Sequence, residues 1–315
     1  MDRSNGKWNF KKKSLRDRVF QKDYDNLAGL FFIFPWLIGF ILFMIIPIVM
    51  SIFYSFTRFD IISPPVWIGV DNFIAIVRDA RFLNSVKVTM VFAFIAVPAR
   101  LVFALILALL FYKARRLVGF YRAAFYLPSI LGGSVAVAIT WQQLFGTRGA
   151  LNSMLNAAFG LELTMSWIGS PDTALASLVL LHLWQFGSPM LIFLAGLKQI
   201  PRSLYESASI DGATSVQNFF KITLPMLTPI IFFNLILQTI SGLMMFTQAF
   251  LITDGGPIDR TMVIMLYVYG HAFEFFNMGY ASAMTWVVII SMFVITMVIF
   301  KTSKYWVFYE SKGDL

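Results

Sequence analysis

Six long runs almost free of charge dominate this sequence and leave it few folds to choose from. They cover residues 27–56, 88–112, 123–145, 174–197, 227–252 and 280–300, and Arg100 is the only Lys, Arg, Asp or Glu in any of them. A hydrocarbon layer about 30 Å thick is crossed by about 20 apolar residues of helix, whose backbone must satisfy its own hydrogen bonds. The runs therefore predict an all-α polytopic membrane protein with six transmembrane helices. Composition agrees: 58% of the 315 residues are hydrophobic and 13% charged, whereas a soluble domain keeps about a quarter of its residues charged. A further apolar stretch, 262–276, holds His271 and Glu274. It is too short to cross and is expected as an external helix or re-entrant segment.

The net charge of +9 does not point to nucleic acid, because the basic residues form no groove with interleaved aromatics. They mark sidedness instead. Eight Lys or Arg precede the first run, and Lys113, Arg115, Arg116 and Arg122 follow the second. Lys198, Arg202 and Lys221 follow the fourth, and Lys301, Lys304 and Lys312 the sixth; the opposite loops hold only Arg58, Arg78, Arg81, Lys87, Arg148 and Arg260. The positive-inside rule then puts both termini of a multi-pass membrane protein in the cytoplasm. The expected organisation is a basic cytoplasmic segment at 1–26, a six-helix membrane domain at 27–300 and a cytoplasmic tail at 301–315. The first run is too long for a signal-peptide core and lacks a small-residue cleavage site, so it is expected to stay as a helix. The chain has no cysteine, which excludes disulfides, thiol catalysis and cysteine metal sites.

Between the fourth and fifth runs lies a polar segment, 198–229, with the sequence KQIPRSLYESASIDGATSVQNFFKITLPMLTP. Pro201 can start a helix, because a first-turn proline loses no intrahelical donor. Asp211-Gly212 then supplies a turn, and 213–222 can form a second helical piece. Pro225 and Pro229 are expected to break or redirect the chain before the fifth span. Ser207, Ala208, Ser209 and Ala213 are small enough to let another surface come close.

This segment resembles the EAA loop of ABC importer permeases, reading Glu206-Ser207-Ala208, Asp211-Gly212-Ala213, Phe219, Ile222, Leu224-Pro225 and Pro229, with Ser207 in place of an alanine. The resemblance implies a coupling helix held in a groove of an ATPase subunit, with Glu206 paired to a basic group and Gly212 allowing the bend. Nearly the whole chain, including the segments WIGVDNF, FYLPSILGG, LTMSWIG and LITDGGPIDRTMVIMLYVYGHAFEFFNMGYASAM, is similar to sugar permeases of the maltose, lactose and glycerol-3-phosphate importers. Within that group it resembles the maltose-permease F type, without that protein's extra N-terminal helices and large external domain in enterobacteria. The fold implied is the type I ABC importer transmembrane domain. The partners implied are a second permease subunit, an ABC ATPase dimer, an extracellular or periplasmic solute-binding protein and a carbohydrate, in a lipid bilayer. No GxxxxGK[ST] occurs in the chain, so it is expected to bind no cofactor and to leave ATP and Mg to the ATPase.

Sugars present hydroxyls and apolar C–H faces, so a transient site should combine amides with aromatics. Asn234, Gln238, Ser241, Met245 and Gln248 fall on one stripe of a helical fifth span. Polar groups are costly against lipid, so the stripe should face the bundle or a wet pathway. Substrate contact and plain interhelical hydrogen bonding both fit it, and the resemblance favours sugar contact at Asn234 and Gln238. Trp184, Gln185 and Ser188 form a second cluster, where Gly187 and Pro189 loosen the fourth span. Trp141, Gln142 and Gln143 fit an interfacial belt equally well. Arg100 finds no acid in the spans; carbonyls near the Pro98 kink, a water-filled path or an acid of the second permease could hold it. His182 reads as an interhelical hydrogen bonder rather than a proton relay. An ion-coupled secondary sugar transporter is the alternative, but it would need intramembrane carboxylates or an inverted repeat with broken helices. A membrane enzyme would need a constellation such as HExxH or Ser/His/Asp, which the spans lack.

Overall fold

The computed structural model describes residues 31–113 and 118–308. The expected 1–26 segment and residues 309–315 of the tail lie outside them. Two compact units divide the chain, Met1–Tyr54 and Ser55–Leu315. The described part of the first is helix α1 (Phe31–Ser55, whose last residue belongs to the second unit). Its turn at Ile41–Ile45 is a π-turn in which the Ile46 N–H donates to the Ile41 carbonyl. A π-turn shifts the hydrogen-bond ladder by one residue, and here it does so just before Pro47, a residue with no N–H to give.

The second unit opens with a two-residue hairpin, β1 (Thr57–Arg58) against β2 (Val66–Trp67), antiparallel with Thr57 opposite Trp67. Helix α2 (Asp71–Arg78) leads to α3 (Ala80–Lys113), about which this unit is built. Ala96, Val97, Leu101, Ala104 and Ala108 form the buried stripe of α3, while Phe94, Val102, Ile106 and Leu110 point outward. Small residues on a buried stripe let membrane helices approach closely. Next come α4 (Val118–Leu131), α5 (Val135–Phe145) and α6 (Ala150–Phe159), then α7 (Ala174–Trp184) and α8 (Gly187–Leu197). After α9 (Arg202–Ile210) comes α10 (Ser215–Leu243), then the short α11 (Thr247–Ile252) and α12 (Ile264–Tyr269), and the last long helix α13 (Met278–Ser303).

Four helices, α1, α3, α10 and α13, are long and apolar enough to cross a membrane unbroken, and counting two bent pairs as single spans makes six. The third expected span is therefore not straight: its axis turns by 94° between Ala123–Leu131 and Val135–Phe159. Gly132 and Gly133 at the break are poor helix formers, and Ser134 starts α5 by accepting the Val137 N–H on its side chain. The fourth bends by 42° between α7 and α8. The fifth expectation needs two corrections. Pro225 and Pro229 do not break the chain, because α10 runs through both. A π-turn at Phe219–Thr223 precedes Pro225, and the Thr228 hydroxyl donates at 2.7 Å to the Pro225 carbonyl, the acceptor that Pro229 deprives of its helical donor. The helix also stops at Leu243 rather than near 252.

The segment after α11 is tied to the start of α3. Arg81 holds both carboxylate oxygens of Asp259 at 2.8 and 2.9 Å, and Asn84 donates to the Asp259 carbonyl. The Ile264 N–H, free at the start of α12, donates to Thr89 Oγ1 at 2.9 Å. Asp79 accepts from the hydroxyls of Tyr267 and Tyr280, each at 2.8 Å, and from the N–H groups of Arg81 and Phe82. Burial alone would raise the Asp79 carboxyl, but these hydrogen bonds outweigh it and hold the group below its ordinary value of 3.8. A depressed carboxylate stabilises above its unfolded value, and the contribution is lost as pH falls through the folded one. The brace should therefore be insensitive to pH from about 8 to 5. Asp79→Asn should lower the thermal unfolding temperature of the detergent-solubilised protein across that window, by a margin that shrinks only in stronger acid.

Candidate functional site

The break in the fourth span follows from one residue. Pro189 has no N–H, so the Gln185 carbonyl four residues earlier loses its helical donor, and inside a membrane no water replaces it cheaply. Two side chains from other helices supply the bonds. Arg100 on α3 donates Nη2 to this carbonyl, and Ser129 on α4 donates its hydroxyl at 2.8 Å. The same Ser129 Oγ accepts the Ser188 N–H at 3.1 Å, and the Gln185 side-chain amide donates to the Gly132 carbonyl at 3.1 Å. The breaks of the third and fourth spans are thus stitched to each other and to α3.

Arg100 is 6% exposed, and its other terminal nitrogen lies 3.1 Å from His182 Nε2. A guanidinium only donates, so His182 Nε2 accepts and the imidazole is neutral with its proton on Nδ1. Among the described residues the one ion pair is Arg81–Asp259, and no carboxylate of these residues pairs with Arg100. Its guanidinium lies instead at the C-terminal end of α7, where unpaired carbonyls carry partial negative charge. The carbonyl that holds Arg100 is at the Pro189 break rather than near Pro98. Close approach of α8 to α4 needs a bare backbone: a Cβ on Gly187 would lie 2.7 Å from the Phe125 carbonyl oxygen and 2.8 Å from Ser129 Oγ.

The expected stripe of the fifth span comes apart. Asn234 and Gln238 are buried on α10, Ser241 is exposed, and Met245 and Gln248 lie beyond the helix end at Leu243, so the 3.6-residue period no longer applies to them. Asn234 donates to the Pro189 carbonyl at 3.5 Å, and Asn234 Oδ1 and Gln238 Oε1 have no partner. Buried amides without partners are uncommon in native proteins and call for a ligand, a water or another state. In the second cluster, Trp184 is 36% exposed and packs on Trp141 at 6.1 Å, while Ser188 is half-buried. The Gln185 amide N–H is taken by Gly132. Gln142 also differs from a belt residue, donating to the carbonyls of Leu251 and Ile252.

The 198–229 loop is a helix-turn-helix. Helix α9 ends in a wrap in which the Ala213 N–H donates to the Ala208 carbonyl at 2.9 Å, with Gly212 at φ 74°. Only glycine takes that backbone angle without strain. Thr214 and Gln217 then cap α10 reciprocally. Glu206, Ser207, Asp211 and Gly212 are exposed, Ala208 and Ala213 half-buried, and Leu224 and Pro225 half-buried inside α10. A hydrogen bond of 2.9 Å between the hydroxyls of Tyr205 and Thr223 fixes α9 to α10. Ile210, Val216 and Phe220 are 88%, 66% and 60% exposed, an apolar rim on an otherwise polar loop.

Residues 73–302 match the family described as binding-protein-dependent transport system inner membrane component. The chain belongs to that family. A relative in it, the probable ABC transporter permease protein YesP of Bacillus subtilis (strain 168), is 53% identical over 293 residues, 92% of this chain and 94% of that protein. The multiple sugar-binding transport system permease protein MsmF of Streptococcus mutans is 31% identical over 267 residues, 84% of this chain and 91% of that protein. In fold the chain is similar to a bacterial ABC transporter involved in the import of the acidic polysaccharide alginate, with a TM-score of 0.75 at 21% identity, covering 91% of this chain and 98% of that one. The chain is thus a multi-pass membrane permease of the type I importer fold, and not an enzyme.

Sequence reasoning named Arg100, His182 and Gln185 without joining them and passed over Ser129 and Gly132. The signal was Pro189, four residues after Gln185, which announces an orphaned carbonyl. Gly187→Val should force α8 away from α4 at a cost of about 1–3 kcal/mol. Reduced melting temperature of the solubilised chain is the expected reading.

Proposed function

We propose that this permease imports a carbohydrate and forms half of the translocation path, paired with a second permease subunit. An ABC ATPase dimer would bind ATP and Mg, and an external solute-binding protein would deliver the sugar. The observation that carries the coupling assignment is the 198–229 loop. It is a rigid, double-capped helix-turn-helix whose acidic side chain and apolar rim lie open to a partner. In this reading Glu206, Ser207, Ala208, Asp211, Gly212 and Ala213 meet the ATPase, and Leu224 and Pro225 carry the movement into α10. Because α10 is unbroken from Ser215 to Leu243, a push on the loop reaches Asn234 and Gln238 without an intervening joint. The basic flanks support a cytoplasmic position for this loop and both termini.

The carbohydrate class is supported by MsmF, whose name speaks of multiple sugars. It is supported as well by two buried amides with oxygens free to accept hydroxyl hydrogens, and by the exposed Trp184 ring, suited to an apolar sugar face. Asn234, Gln238, Trp184 and Ser188 carry the pathway in this reading. Ser241, exposed on α10 one turn beyond Gln238, joins them, while Gln185 holds the frame.

Two measurements on the complex in proteoliposomes test the reading. Glu206→Lys should leave the subunits assembled and cut sugar uptake by at least about tenfold through loss of a charged contact; native uptake and native stimulation of ATP hydrolysis would contradict the coupling role. Asn234→Ala with Gln238→Ala should change the uptake rate or the range of sugars accepted while binding-protein-stimulated ATP hydrolysis continues. Unchanged rate and range would remove the pair from the pathway.

A further inference from the structure

We propose that Arg100 is a positioning residue of the transport pathway, standing in for the helical donor that Pro189 lacks and so keeping the fourth span broken at Gln185–Phe186. The observations are geometric. Gln185 sits at the end of α7 with backbone angles outside the helix, and the next helical bond, from the Met190 N–H to the Phe186 carbonyl at 3.1 Å, begins one residue too late to reach it. The carbonyl left over faces Arg100 and Ser129 instead. Arg100, His182 and Gln185 are each less than 9% exposed, so water has little access to the bonds that Arg100 makes.

The consequence concerns what lies at the break. Trp184 is the last residue of α7 and Ser188 the second of α8, so the angle between the two helices sets where both are presented. Asn234, from the fifth span, reaches the Pro189 carbonyl at the same place. The polar groups divide into two classes there. Those joining α3, α4 and the break are bonded, apart from Arg100 Nε, whereas those that α10 contributes keep their acceptor oxygens free. Spans two, three and four thus form a bonded frame, and the fifth span meets that frame across a seam with unfilled hydrogen-bonding positions. Arg100 fixes the frame's side of the seam. The inference rests on the reading that Trp184 and Ser188 border the pathway.

The test uses the assembled transporter and the variants Arg100→Gln, Pro189→Ala and their combination. The alanine restores an N–H at position 189, letting α8 extend back by one residue onto the Gln185 carbonyl. Arg100→Gln should lower the amount or heat stability of the assembled complex and reduce uptake by at least about tenfold, the scale of one charge-assisted hydrogen bond lost from a buried carbonyl that Ser129 alone then holds. Adding Pro189→Ala should restore assembly and stability but not uptake, because the fourth span is then straightened. The chain has no cysteine, so Ser188→Cys gives a single maleimide site in this subunit, read from its own band on a gel. Its labelling rate should stay altered in the combined variant.

Three results would overturn the proposal. The combined variant could be no more stable than Arg100→Gln, it could regain native uptake and native labelling, or Arg100→Gln alone could import normally. If labelling at position 188 is equally fast with and without transported sugar, the pathway reading fails, while the stability rescue still decides whether Arg100 replaces the missing donor.

Discussion

A backbone carbonyl with no helical donor, buried at membrane depth, is the constraint around which the second unit is arranged. Pro189 creates it at Gln185, and lipid offers nothing to bond it. The chain answers by bringing a cation from α3 and a hydroxyl from α4 to the same oxygen. This accounts for an arginine in an apolar span with no carboxylate beside it among the described residues, because the end of a broken helix supplies a negative partner. It also explains the bare backbone of Gly187, without which α4 and its Ser129 could not come close enough.

Three other prolines meet the same difficulty locally. Before Pro47 and Pro225 the helix widens into a π-turn, and at Pro229 the neighbouring Thr228 hydroxyl bonds the stranded carbonyl. These repairs leave α1 and α10 unbroken, and both remain long enough to cross. Repair by residues of the same helix keeps a lever straight; repair by residues of other helices makes a joint. A continuous α10 between the Gly212 turn and the Asn234–Gln238 pair, beside a jointed fourth span, suits a machine in which movement enters at one end and is used in the middle.

Much of this was legible in the sequence. Span number and approximate limits follow from charge-free length, and the 198–229 turn from Asp-Gly flanked by helix formers. The stripe from Asn234 to Gln248 misled because periodicity assumes an uninterrupted helix, and nothing in Met244–Met245–Phe246 marks an end by composition. The 94° turn of the third span was foreshadowed by Gly132-Gly133, but two glycines do not specify an angle. The Asp79 brace joins residues 188 and 201 positions apart in sequence. No local pattern signals such a contact. Pro189, by contrast, carried more information than its role as a helix breaker, since it named the acceptor that Arg100 and Ser129 would have to reach.

Membership in the binding-protein-dependent permeases fixes the class of machine, and the buried amides beside the jointed span point to its cargo as a polyhydroxylated molecule. The most direct measurement is sugar uptake into proteoliposomes containing this chain with its companion permease and ATPase subunits, with binding protein and ATP supplied or withheld. Accumulation that requires both ATP and the sugar-loaded binding protein, and that is indifferent to a proton or sodium gradient, is the expected result. Accumulation driven by an ion gradient in the absence of ATP would contradict it.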